Sequence, residues 1–304
     1  MEKTEKIWMD GKLIAWNDAK VHVLAHALNY GTGVFEGIRV YKTPKGTAIF
    51  RSKEHIKRLL DSCKVLCLDI PYTAEDIRKA MHEVIKVNKN VDYIKPCVFL
   101  SGEEVGLNPI GIPASFAITG VFMGSYLGKE AAEKGASLMT SSWLRPWNMA
   151  VPAGAKVNGV YVTSSLAKRD AKMSGFDEAV MLNAQGNVAE CSGENIFMMK
   201  RGKLYTPPPS SSILEGITRN SVMEIAADMG IDVIERDISR VELYTADEVF
   251  MTGTAAEMTA VTKIDNRTIG EGRMGPMTAK LKTAFKDATV GKSQKYAEWL
   301  DIVA

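Results

Sequence analysis

The chain has 304 residues, of which 46% are hydrophobic and 24% charged. At roughly 150 residues per domain, that length allows about two domains, each able to bury a core of its own. Its 38 basic and 36 acidic residues leave a net charge of +2. This balance gives no electrostatic reason to expect nucleic acid or an anionic membrane as partner.

The first residues, MEKTEKIWMDGK, are charged and lack the apolar core of about 7–15 residues that marks a signal peptide. No run approaches the ~18 apolar residues of a membrane span. Cys63, Cys67, Cys97 and Cys191 form no spaced framework and read as reduced thiols of a cytoplasmic protein.

In chain order, Asp10-Gly11 between KIWM and KLIAW predicts a β-hairpin, and Thr43–Gly46 between GIRVY and TAIFR predicts a second. A helix over about 53–67 follows, with Ser52 as N-cap and Cys63 and Cys67 on its apolar face. Thr73 and Asp76 form a capping-box pattern for a helix running to about Asn88, whose charges form a solvated face. Strands are expected near 93–100 and 115–122. The glycine-bounded stretch 124–135, GSYLGKEAAEKG, is the candidate linker between a small N-terminal α/β domain, 1–123, and a larger one, 136–304. That second domain, which carries Lys156, alternates strands (136–142, 177–182, 194–199, 231–236, 247–252) with helices (about 159–173, 217–229, 276–287). Prolines 207–209 followed by serines mark a loop. Composition and periodicity thus give a two-domain α/β or α+β chain.

Five segments can carry chemistry. In Ala153–Tyr161 a single lysine, Lys156, sits among small uncharged residues, where weak solvation favours a Schiff-base amine. In Asn187–Phe197, Glu190 can hold a proton on a ring nitrogen. Gly216 precedes a helix start whose Ile217 and Thr218 N–H groups suit a phosphate. The turn Phe250–Ala256 can aim N–H groups and a hydroxyl at an anion. Tyr30–Arg39 is glycine-rich, but its spacing and its position before a strand exclude a dinucleotide fingerprint. His22 and His26 lack a third ligand, predict no metal and read as a buried, hydrogen-bonded pair. The sixteen methionines are scattered and read as packing. Alone, each segment also fits ordinary structure.

Taken together and in order, YGTGVFEGIRVY, HIKRLLDSCK, YIKP, SSWLRP, AKVNGVY, GNVAECSGENIF, LEGITRN, ADEVFMTGTAAE and GEGRMGPMT resemble the branched-chain amino-acid aminotransferases, fold type IV enzymes that use pyridoxal 5′-phosphate. The resemblance covers nearly the whole chain, and FEGIR with SGENIF favours this branch. It implies a two-domain α/β fold with the cofactor in the interdomain cleft.

The resemblance also implies residue roles. Lys156 would carry the cofactor as a Schiff base and shuttle the Cα proton. Glu190 would hold the pyridine nitrogen and Tyr161 the ring oxygen. Arg58 would bind the phosphate with Leu214, Gly216, Ile217, Thr218, Gly253 and Thr254. Tyr30, Phe35, Gly37 and Tyr126 would wall the substrate, and Tyr93, Thr254 and Ala255 would take its α-carboxylate. Lys95 stands where many members have arginine; with Arg39 it would face the distal carboxylate of 2-oxoglutarate. An apolar wall separates aliphatic side chains by only ~1–3 kcal/mol per methylene, so leucine, isoleucine and valine should all be accepted. A homodimer is the expected minimal active unit, with a partner loop closing the pocket and larger assemblies open. The same scaffold also carries D-amino-acid and (R)-amine aminotransferases and aminodeoxychorismate lyase, which donor stereochemistry separates.

Overall fold

The computed structural model describes residues 2–124 and 126–303; Ser125, inside the predicted linker, and the two terminal residues lie outside the described residues. The chain forms two compact units. The first takes Met1–Gly124, Ala155–Gly159 and Ala288–Ala304, and the second Ser125–Gly154 and Val160–Asp287. Five residues around Lys156, which in a linear division fall in the second domain, therefore group with the first.

The first unit holds an eight-stranded antiparallel sheet. Its strands are β1 (Lys6–Met9), β2 (Lys12–Ala15), β3 (Gly33–Phe35), β4 (Ile38–Thr43), β5 (Gly46–Phe50), β6 (Tyr93–Leu100), β7 (Ala114–Val121) and, from the end of the chain, β17 (Leu300–Ile302). Both predicted hairpins are present. Met9 pairs with Lys12 across Asp10 and Gly11, whose φ values of 47° and 86° match the two-residue turn that right-twisted strands favour. Thr43 pairs with Gly46 across Pro44-Lys45.

Three helices belong to this unit: α1 (His26–Tyr30), α2 (Ser52–Val65) and α3 (Ala74–Val87). The capping box of α3 forms as expected, Thr73 Oγ1 accepting from the Asp76 N–H and Asp76 from the Thr73 N–H. Helix α2 differs at both ends. Its N-cap is Arg51 rather than Ser52, at φ 52°. That left-handed backbone is offset by an ion pair to Glu54 at 2.7 Å and by the Trp299 ring 4.6 Å from the guanidinium. The helix stops at Val65, so Cys67 turns outward and is exposed, while Cys63 is buried as expected. The histidine pair is also split. His26 is buried and bonded to Thr32 and the Gly106 carbonyl, whereas His22 is exposed beside Glu103.

The second unit holds a nine-stranded mixed sheet, in which β8 (Ala136–Thr140) runs parallel to its neighbours β9 (Glu178–Leu182) and β15 (Glu257–Ile264). β10 (Val188–Cys191), β11 (Asn195–Lys200), β12 (Lys203–Thr206), β13 (Val233–Glu235), β14 (Glu248–Gly253) and β16 (Arg267–Thr268) complete it. Helices α4 (Lys129–Lys134), α5 (Tyr161–Met173), α6 (Ile217–Asp228) and α7 (Arg240–Tyr244) lie in this unit, and α8 (Pro276–Thr289) begins in it. Helix α4 occupies the predicted linker, and its Ala131 joins the buried cluster of Leu138, Val180, Ile196 and Met251. Among the described residues no helix is long and apolar enough to cross a membrane.

Candidate active site

In the first unit, β6 sets the geometry. Phe35 lies opposite Cys97 and Ile38 opposite Ile94, so one register runs through, but the ladder breaks at Glu36 and Gly37. The reason is Pro96, which has no N–H to donate; its carbonyl still accepts from the Glu36 N–H at 2.8 Å. Strand alternation then sorts the side chains. Phe35, Gly37 and Arg39 share one face with Tyr93 and Lys95, and Glu36 points to the other. On the first face a Cβ at position 37 would fall 1.7 Å from the Tyr93 hydroxyl oxygen, so only glycine lets that phenol lie where it does.

Lys156 approaches this face. Its backbone is fixed at both ends: the N–H donates to Ser62 Oγ at 3.1 Å, and the carbonyl accepts from the Phe35 N–H at 3.1 Å. Its ammonium nitrogen lies 4.8 Å from the centre of the Phe35 ring, and that of Lys95 lies 5.0 Å from the same ring. Arg39 is buried, paired with Asp92 at 3.2 Å and donating to the Gly124 carbonyl at 2.8 Å. Tyr30 is more peripheral; it is 38% exposed and its hydroxyl accepts from the Gly106 N–H.

On the other face, helix α2 presents His55, Arg58 and Ser62 from successive turns. Arg58 and His55 both close on the fully buried Glu36. Arg58 Nε lies 2.6 Å from Oε1 and Nη2 2.9 Å from Oε2, and His55 Nδ1 lies 2.7 Å from Oε2. Burial alone would push the Glu36 carboxyl up, but the Arg58 guanidinium and His55 outweigh it and hold it well below the usual carboxylate range. Burial pushes the His55 imidazole down, against the pull of Glu36.

The second unit gathers another set around Glu190, which is 5% exposed. Its Oε1 meets the Arg145 guanidinium at 2.8 Å. Its Oε2 accepts from Asn195 Nδ2 at 2.9 Å and from the Leu214 N–H at 3.2 Å. Asn195 also donates to the Leu214 carbonyl, and a Cβ at position 216 would sit 2.1 Å from its Oδ1. Asn195 therefore couples the carboxylate to the glycine that opens α6, whose first turn carries Ile217 and Thr218 and no acidic side chain. Asn195 pairs in register with Thr252, so β14 ends beside it at Gly253, followed by Thr254 and Ala255. Tyr161 begins α5. Tyr126 is 47% exposed, with the Lys168 ammonium 5.6 Å from its ring.

Near this turn lies a second acidic cluster. A Cβ at Gly253 would come within 3.0 Å of Glu194 Cγ. Glu194 and Glu178 are both buried, and Lys168 pairs with Glu178. Burial first, then the neighbouring Glu178 carboxylate, pushes the Glu194 carboxyl up to about 8.

Of the sequence-derived candidates, the first unit brings together Lys156, Phe35, Gly37, Tyr93 and Lys95 on one face of its sheet and holds Arg58 on the other, against Glu36; the second brings together Glu190, Leu214 and Gly216. Glu36, Ser62, Arg145 and Asn195 were missed as site residues. All four stood inside recognised motifs, Glu36 in FEGIR, Ser62 in HIKRLLDSCK, Arg145 in SSWLRP and Asn195 in SGENIF.

The model of the amino-transferase class IV family matches residues 33–264. The chain belongs to the class IV aminotransferases. A branched-chain-amino-acid aminotransferase from Pseudomonas aeruginosa is 46% identical over 98% of this chain and 97% of its own length. The crystal structure of the Escherichia coli branched-chain aminotransferase superposes with a TM-score of 0.96 at 42% identity, covering 99% of this chain and 100% of that one. That of the Thermobaculum terrenum enzyme in its pyridoxal 5′-phosphate form gives 0.93 at 32% identity, covering 100% of each chain. This places the aminotransferase in the branched-chain branch of the family.

The residues present fit pyridoxal 5′-phosphate. Lys156 offers an amine for the aldehyde. In the first unit the fixed guanidinium of Arg58, and in the second the glycine-opened start of α6, each have the chemistry that suits a phosphate. Glu190, held by two N–H donors and a guanidinium, offers an oriented carboxylate for the ring nitrogen. Among the described residues no group of three or more His, Cys, Asp or Glu side chains is placed to hold a metal ion.

Proposed function

We propose that this aminotransferase moves the amino group of L-leucine, L-isoleucine or L-valine reversibly to 2-oxoglutarate, giving the branched-chain 2-oxo acid and L-glutamate. The observation that carries the reading is Lys156. Its backbone is tied to α2 and to β3 and its amine lies over Phe35, within a chain that resembles branched-chain enzymes along almost its whole length.

Pyridoxal 5′-phosphate, when bound, supplies the electron sink that makes cleavage of the substrate Cα–H bond accessible. Lys156 would hold the cofactor through its amine, and the same amine would take the substrate Cα proton and return it. Glu190 keeps a proton at the ring nitrogen, and Tyr161 hydrogen-bonds the ring oxygen. Arg58, the N–H groups of Ile217 and Thr218, and Thr254 hold the phosphate, in the segments Leu214–Thr218 and Gly253–Thr254. Tyr93 with Thr254 and Ala255 receives the α-carboxylate, while Tyr30, Phe35, Gly37 and Tyr126 exclude water and polar side chains. Lys95 meets the distal carboxylate of 2-oxoglutarate. Arg39, paired with Asp92 and 6.0 Å from the Tyr93 ring, supports that side of the pocket.

The same reading takes 1–123 and 136–304 as folding domains joined through 124–135. It makes a homodimer the smallest active unit, closed by a partner loop, and places the enzyme in the cytoplasm.

The test is to mix purified protein with L-leucine and no acceptor and to record the visible spectrum. Conversion of the bound cofactor to its amine form is expected, and Lys156→Ala abolishes turnover. Reaction with D-alanine but not L-leucine overturns the substrate assignment. Lys95→Ala should weaken 2-oxoglutarate use more than leucine use, because its ammonium is the charge assigned to meet the distal carboxylate directly. Equal losses for both substrates reject that role.

A further inference from the structure

Glu36 has no role in the mechanism above, yet it is 0% exposed and is met by two side chains of α2. Its neighbours Phe35 and Gly37 line the substrate face of the sheet, while Glu36 points through to the helix. A buried carboxylate is costly unless its charge and lone pairs are answered. Here Arg58 answers both oxygens through its Nε–Nη2 edge, and His55 adds a third bond. Arg58 itself is not sealed in; its side chain keeps 15% exposure. An arginine side chain has several rotatable bonds, so one that serves an external anion must be fixed by something else, or its ordering is lost at each binding event.

We propose that Glu36 is a positioning residue: it fixes the Arg58 guanidinium so that its outer edge is presented to the cofactor phosphate. The inference rests on the assignment of Arg58 to that phosphate. The lowered carboxyl of Glu36 agrees with it, because an anion at this point keeps the guanidinium oriented throughout the neutral range. The arrangement also joins the phosphate contact to Lys156. The same helix holds the Lys156 N–H through Ser62, and the residue before Glu36 holds its carbonyl. Loss of Glu36 therefore acts on the phosphate end while both backbone ties of the lysine remain.

The experiment compares two forms of the cofactor. Full-length protein freed of cofactor is reloaded with pyridoxal 5′-phosphate or with pyridoxal, which lacks the phosphate, and both dissociation constants are measured by absorbance. Inorganic phosphate is titrated as a third probe. Glu36→Gln is expected to weaken pyridoxal 5′-phosphate and phosphate on the order of tenfold to a hundredfold, the loss typical when a group that orients a ligating residue is removed. Pyridoxal affinity should change less than about twofold. In an Arg58→Met background, Glu36→Gln should add nothing further.

Equal loss for both cofactor forms, or no loss, overturns the proposal. If Arg58→Met leaves the preference for the phosphorylated form intact, the assignment of Arg58 fails instead, which separates the two readings. Where Glu36→Gln does not fold, Glu36→Asp keeps the charge but withdraws it by one methylene, and the same selective loss is required of it.

Discussion

Two of the places where the molecule buries acidic side chains give opposite results. Glu36 in the first unit and Glu194 in the second are both excluded from solvent, and burial pushes both carboxyls up. Glu36 faces a guanidinium and an imidazole and ends well below the ordinary range. Glu194 faces another carboxylate, Glu178, whose lysine partner is Lys168, and ends near 8. Burial by itself therefore does not decide whether a carboxyl is ionised; the charge of its nearest partner does. The first arrangement holds a fixed anion beneath a cation that works on a ligand. The second holds a carboxyl that burial and a carboxylate neighbour push up to about 8.

The largest expected effect separates these two states. Glu36→Ala leaves Arg58 facing a buried void and should cost about 3–5 kcal/mol in urea denaturation. A cost below ~1 kcal/mol would make the pair energetically idle and end the contrast.

Next in size is the response to acid. The folded values of His55 and Glu36 both lie below their unfolded ones. Each therefore contributes stability that is present above its unfolded value and lost as pH falls. The loss should begin below about 6.5 with His55 and deepen below about 4.5 with Glu36, at no more than ~1.4 kcal/mol per pH unit for each proton taken up. His55→Gln should remove the upper part of this slope and leave the lower. An unchanged profile in that variant disproves the assignment.

The smallest effect belongs to Glu194. Its folded value is raised, so the folded chain keeps a proton that the unfolded chain releases, and stability falls as pH rises from about 4.5 to about 8. Glutamine is the isostere of the neutral acid: its amide can donate to Glu178, and its oxygen can accept from the Gly193 N–H. Glu194→Gln should therefore cost less than ~1 kcal/mol at pH 6 and flatten that alkaline slope. A loss as large as that of Glu36→Ala would mean Glu194 is an anion after all.

These differences also mark what the sequence could and could not disclose. Asp10-Gly11 and Thr73 with Asp76 were legible because their physics is local; a turn and a cap are completed within four residues. Lys156, Glu190 and Gly216 were legible as segments and gained meaning from their order along the chain. Arg51 was not, because its left-handed backbone is held by Trp299, far away in sequence. The exposure of Cys67 depends on where α2 stops, and helical spacing continued past that point. Glu36 stood within FEGIR but had no assigned partner, since Arg58 lies 22 positions on, on a helix that meets it only across the fold. Arg145 and Asn195 were hidden in the same way, each defined by a contact with Glu190 across strands or loops.

The fit of Tyr93 against Gly37 carries an evolutionary consequence. A methyl at position 37 meets the phenol oxygen at 1.7 Å and the carbon bearing it at 2.7 Å. Removing the hydroxyl alone, by Tyr93→Phe, still leaves that ring carbon too close. Alanine at position 37 is therefore compatible only with a Tyr93 ring that has moved or been made smaller, and either change displaces the group assigned to the α-carboxylate. The two positions are coupled, and a pocket-widening library that varies position 37 alone should favour glycine over every larger residue.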